Sequence, residues 1–216
     1  MNPNDLWKNA ERIKLGKAKP PRFDVAHWRQ WHSAGKFTRL LLILCLVIFI
    51  AQQFTPAVFD ALMYYTEHSM QQFAMAPWRW FTPVLMHGDW IHLGFNLVIW
   101  WLIANQIEQI QGSTRLILLT AVIAALSNGA QFLLSGPYFL GLSGVNIGLV
   151  FYAMVYKHLK PSSHLVLSQP LILVILFSIV LGFVFSEGIA NTAHLSGAVV
   201  GAALGLILSL FMGEKS

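Results

Sequence analysis

Ser143 stands between glycines in Gly141-Leu142-Ser143-Gly144, where a long apolar run begins. His194 lies near the start of a second apolar run. His92 lies near the start of a third, with Asn96 four residues later. A serine hydroxyl is a weak nucleophile until a base takes its proton, and histidine is the commonest base. A second imidazole and an amide can donate hydrogen bonds to the oxyanion of a tetrahedral intermediate. These are the components of acyl transfer. No carboxylate is placed to orient the histidine, since Glu108 and Glu187 lie at helix ends and Asp89 in a loop, so the arrangement is a Ser–His dyad. The Ser143 backbone N–H, at a helix N-terminus, is a further donor. Gly141 and Gly144 permit a tight backbone and close approach of a substrate. Each residue also has a plainer reading: glycine and serine as helix-packing residues, His194 as an interfacial histidine, His92 with Asn96 as an interhelical hydrogen-bonding pair. His87, His92 and His194 form no convincing metal site, because no acidic or thiol ligand joins them.

The elements that must position these side chains follow from composition. Of the 216 residues, 56% are hydrophobic and only 11% charged, against roughly 25% charged in soluble domains. The apolar residues cluster into six blocks: Leu40–Gln53, Ile91–Ile107, Leu116–Leu134, Ser143–His158, Leu171–Phe185 and Thr192–Met212. Each is near or slightly under the roughly 20 residues that cross a bilayer; the first is short unless residues 37–54 are counted. The expected fold is an all-α membrane protein of six transmembrane helices. Residues 1–36 form a basic cytoplasmic segment, 37–212 the helical domain and 213–216 a cytoplasmic tail. The single cysteine, Cys45, excludes an intrachain disulfide. The net charge of +5 does not indicate nucleic acid, because nine of the 14 Lys and Arg lie within residues 1–39, just before the first apolar block. Such a segment reports orientation and contact with anionic lipid. Trp28 and Trp31 among those charges suggest an amphipathic juxtamembrane piece.

With the N-terminus inside, thirteen of the 14 Lys and Arg face the cytoplasm and only Arg79 faces out, a strong positive-inside asymmetry. Ser143, His194 and His92 then all fall within about one turn of the outer ends of their helices, on the order of 5 Å deep. Asn96 lies on the His92 face, one turn deeper. Three helices thus bring a hydroxyl, two imidazoles and an amide to one layer, and this coincidence of depth favours catalysis over packing. The first connection, residues 55–90, is rich in aromatic residues and broken by Pro56, Pro77 and Pro83, which suits structure lying in the outer interface. In the last block Gly197, Gly201 and Gly205 recur every four residues, a stripe for close helix packing.

Taken in order, these residues resemble the rhomboid family of intramembrane serine proteases, in its basic six-helix bacterial form. Trp78-Arg79 matches the family's Trp-Arg element, His87, His92 and Asn96 its His-x-x-x-x-His-x-x-x-Asn pattern, the Ser143 loop its nucleophile motif, and the segment from Ala190 to Gly201 its sixth-helix motif. The resemblance spans about residues 36–212. It implies Ser143 as nucleophile, His194 as base, Gln131 at a position linked to active-site water, and Asn191 as a residue that helps orient the site or caps the helix. It further implies cleavage of single-pass membrane proteins in or beside their transmembrane segment, next to a small residue and helix-breaking residues. A water-filled cavity open to the outer (periplasmic) side of the bacterial inner membrane is expected, as is a fifth span that moves to admit substrate. No metal or other cofactor is required. One position departs from the pattern: Ile147 stands where many bacterial members carry a tyrosine that packs on the catalytic histidine, and Asn146 beside it is an unusual polar group. The alternatives are a catalytically silent relative that binds membrane-protein clients, or a small transporter. A transporter would place its polar groups near mid-membrane and often shows internal repeats.

Overall fold

Long stretches without proline and with few charges leave helix as the natural state of an apolar backbone, whose polar groups must be satisfied within each segment. The computed structural model describes residues 35–64, 75–184 and 190–211, and every regular element among them is helical. Seven α-helices follow in order: α1 Lys36–Gln52, α2 Ala57–Leu62, α3 Trp90–Gln111, α4 Ser113–Ser135, α5 Ser143–Leu159, α6 Gln169–Val184 and α7 Asn191–Phe211. Short 3₁₀ turns occupy Pro77–Trp80, Thr82–Leu85 and Pro161–Ser163. The six long helices coincide with the six apolar blocks. Two of them, α4 and α7, are both long and apolar enough to cross a membrane by themselves. Helices α1, α5 and α6 have 17, 17 and 16 residues, and α3 runs four residues beyond its apolar block, through Glu108 and Gln109 to Gln111. The expectations for residues 1–34 lie outside the described residues.

Helix α5 is central. Every residue from Gly144 to Val150 is buried, and α3, α4 and α7 all pack on it, α7 most extensively. The outer helices are apolar on both faces: α4 buries Leu116, Leu119 and Ile123 yet exposes Leu118, Leu126 and Leu133. This is the pattern of helices in an apolar surrounding.

The glycine stripe explains the α5–α7 contact. A Cβ on Gly197 would collide with the Gly144 carbonyl oxygen, and one on Gly201 with that of Gly148. A Cβ on Gly205 would come within 2.7 Å of the Tyr152 carbonyl oxygen. The two backbones therefore touch along three turns, and the helix bearing His194 is held directly against the helix bearing Ser143.

At the other end of the bundle, Glu108 near the C-terminus of α3 serves as the cap of α1. Helix α1 has glycine rather than a side-chain cap at its N-terminus. The Glu108 carboxylate accepts from Phe37 N (2.9 Å), Thr38 N (2.8 Å), Thr38 Oγ1 (2.6 Å) and Ser113 Oγ (2.6 Å). It satisfies free N–H groups of the first turn and sits at the positive end of the helix dipole.

Candidate active site

The segment just before α3, residues 77–89, packs behind the site and reaches the cavity only at Gly88 and Asp89. Trp78 Nε1 donates to Ala61 O (3.0 Å), Arg79 donates to Met63 O (3.1 Å) and to Asp60 O, and Thr82 Oγ1 donates to Leu62 O (2.6 Å). Trp78 and Arg79 thus tie the 3₁₀ turns to the carbonyls at the end of α2. Asn128 of α4 donates to Trp80 O (3.0 Å) and docks the segment on the bundle. Tyr64 packs its ring against Trp80, Phe132 and Phe139. Pro83 O accepts from Gly141 N (3.0 Å), so the same segment fixes the loop that leads into Ser143.

Gly141 has φ +115°, a conformation that glycine adopts without steric penalty. It also leaves room for His92, whose Cε1 and Nε2 would lie 2.7 Å from a Cβ there. Gly144 fits the plainer reading given to it, a packing residue. Its missing side chain lets Ala193 O and Ser127 Oγ approach, so it is a packing glycine between α4, α5 and α7.

Ser143 is the first residue of α5. Its Oγ lies 2.7 Å from His194 Nε2, across a helix pair and 51 residues of sequence. His194 is 7% exposed, and its Nδ1 is buried without a hydrogen-bond partner among the described residues. No carboxylate therefore orients the ring among those residues. The start of α7 is instead held through α4: Gln131 Oε1 accepts from Ala193 N (2.9 Å), and the Ser135 and Thr192 hydroxyls are 2.7 Å apart. Gln131 is thus a cap on the helix that carries His194, a role its expected link to water did not suggest. Asn191 opens α7 and borders the same cavity.

His92 is set by Asp89, the N-cap of α3, whose Oδ1 accepts from His92 N (2.8 Å). Its Nδ1 accepts from Gly88 N (3.4 Å). A neutral imidazole that accepts at Nδ1 carries its proton on Nε2, the atom that faces Gly141. Asn96 Nδ2 donates to His92 O (3.0 Å). His87 lies outside this donor set. Its main chain is clasped by the Gln52 side chain of α1, with His87 N donating to Oε1 and His87 O accepting from Nε2, both at 3.3 Å. Its ring packs edge-on to His92 at 5.1 Å between centroids. Burial, with His92 beside it, pushes the His87 imidazole down to about 4, so His87 is a neutral ring that buttresses His92. Gln52 escaped sequence reasoning; its one signal was a polar residue at the end of an apolar helix.

Ser143, His194, His92, Asn96, Gln131 and Asn146 all border one cavity of about 1130 Å³. Its opposite wall comes from α6, through Val174, Ile175, Phe177 and Ser178. The cavity therefore combines a paired hydroxyl and imidazole, nitrogen donors on the neighbouring helix, and apolar space beside them. The family model of the rhomboid domain matches residues 74–211, well over half of the chain.

Proposed function

The chain belongs to the rhomboid family, and from that premise we propose that it is an intramembrane serine endopeptidase acting on single-pass membrane proteins. The observation that carries this reading is the 2.7 Å contact between Ser143 Oγ and His194 Nε2 at the edge of the cavity. His194 Nε2 takes the hydroxyl proton as Oγ bonds to the scissile carbonyl carbon. The oxyanion that forms is met by the Ser143 N–H, by His92 Nε2–H and by the Asn96 amide. The His194 imidazolium then gives the proton to the leaving nitrogen as the C–N bond breaks, leaving an acyl ester on Ser143. Water, deprotonated by His194, hydrolyses that ester and restores both side chains.

Six spans with both termini inside follow from the distribution of Lys and Arg. The cavity then opens to the outer side of a bacterial inner membrane, where water and a partly unwound transmembrane segment can both reach Ser143. The apolar α6 wall suits such a substrate. Lipid is the other expected partner of the exposed apolar faces. The test is cleavage of a model single-pass substrate by the protein reconstituted in liposomes. Ser143→Ala and His194→Ala are each expected to lower kcat by about 10⁴-fold or more with the unfolding temperature unchanged. Full activity in Ser143→Ala would refute the mechanism.

A further inference from the structure

Asn146 is one turn into α5, three residues after Ser143, and 1% exposed. A buried amide is unfavourable unless it is hydrogen-bonded. Its Nδ2 donates to two atoms of one residue, Asn96 O and Asn96 Oδ1, each at 3.0 Å. Its Oδ1 is buried with no partner among the described residues. A valine would fill the same space without that penalty, so packing does not account for an amide here.

The two bonds fix orientation. A main-chain carbonyl oxygen only accepts, so the end of Asn146 that faces Asn96 O must be its nitrogen. The same rule applies to Asn96, whose Nδ2 faces His92 O at 3.0 Å. Asn146 then donates to Asn96 Oδ1, and the two amides lock into one consistent arrangement. One hydrogen of Asn96 Nδ2 is used by His92 O and the other has no acceptor among the described residues. That nitrogen would lie 3.9 Å from a Cβ on Gly141, beside His92 Nε2, so both donors face the loop leading into Ser143. Turned over, the Asn96 amide would present an acceptor where an oxyanion needs a donor.

We propose that Asn146 is a positioning residue for the oxyanion site, which by donating to Asn96 holds that amide with its nitrogen toward the nucleophile loop. The proposal rests on the protease reading and extends it to a residue that acts through Asn96. It also sets the sign of each substitution. Valine removes the donor and lets Asn96 sample both orientations. Aspartate keeps the shape but, ionised, repels Asn96 Oδ1 and accepts from Asn96 Nδ2, turning the amide over.

The experiment measures kcat and KM of the full chain in liposomes for Asn146→Val and Asn146→Asp, in the native background and with Asn96→Ala, alongside thermal unfolding of each variant. The expected result is a kcat lower by about tenfold for valine and about 10²-fold for aspartate, with KM within about twofold. With Asn96 already alanine, the same substitutions should change kcat by less than about twofold, because the residue through which Asn146 acts is gone. Native kcat in Asn146→Asp, or equal losses in both backgrounds, would overturn the proposal. Equal losses with a lower unfolding temperature would assign Asn146 a structural role. Cleavage by Ser143→Ala at the native rate would instead overturn the protease reading, and this proposal with it.

Discussion

The two ends of α3 place buried polar groups in different surroundings. At the C-terminal end, the Glu108 carboxylate accepts four hydrogen bonds, from the first turn of α1 and from Ser113. At the N-terminal end, the polar atoms keep capacity in reserve. His194 Nδ1 and both His87 ring nitrogens have no partner among the described residues, and the Asn96 amide has used one hydrogen of two. At the C-terminal end Glu108 is fully engaged and joins two helices, while the unpaired Asn105 Nδ2 and Gln111 Nε2 nearby lie away from the cavity; the N-terminal end borders a cavity of about 1130 Å³. A buried polar group with all its bonds made specifies structure. One with bonds left over, beside open space, is available for chemistry.

Substitutions at the two ends should therefore fail differently. The largest effect is expected at the cavity: Ser143→Ala removes activity and leaves stability. At the C-terminal end of α3, Glu108→Ala leaves several donors buried and unpaired. It should lower stability by about 3 kcal/mol or more, read as a lower unfolding temperature in detergent, while the folded fraction keeps its kcat. Glu108→Gln, which can still accept, should lose less. A Glu108→Ala protein with native stability but a reduced kcat would break the distinction between the ends.

The smallest effect concerns His87. Its folded value, about 4, lies below the ordinary histidine value of 6.5, so the unfolded chain binds more protons between those pH values. Its contribution to stability is present above about pH 6.5 and is lost as pH falls toward 4. His87→Asn should flatten the unfolding temperature across that window, and an unchanged pH dependence would show that other groups cause it.

That Ser143, His194, His92 and Asn96 come to one cavity was legible in the sequence, because the helix directions assigned by counting Lys and Arg put all four at one depth. The glycine stripe was legible because its period is that of a helix face. Less visible were contacts joining residues far apart. Glu108 caps a helix 70 residues earlier, so no local capping signature marks the start of α1 at Lys36, which lies ahead of the apolar block. Gln52 holds His87 across 35 residues. Gln131 caps α7 across 62 residues. Asn146 stood out as a polar residue in an apolar run, but only the fold shows that its partner is Asn96. The ties of the first connection through Trp78 and Arg79 to α2 carbonyls depend on tertiary contact and left no local signal.

The most direct measurement is covalent labelling of the reconstituted protein with a fluorophosphonate, followed by peptide mapping. The expected result is phosphonylation at Ser143 alone, lost in His194→Ala. Labelling at another serine, or undiminished labelling of Ser143 without His194, would contradict the dyad.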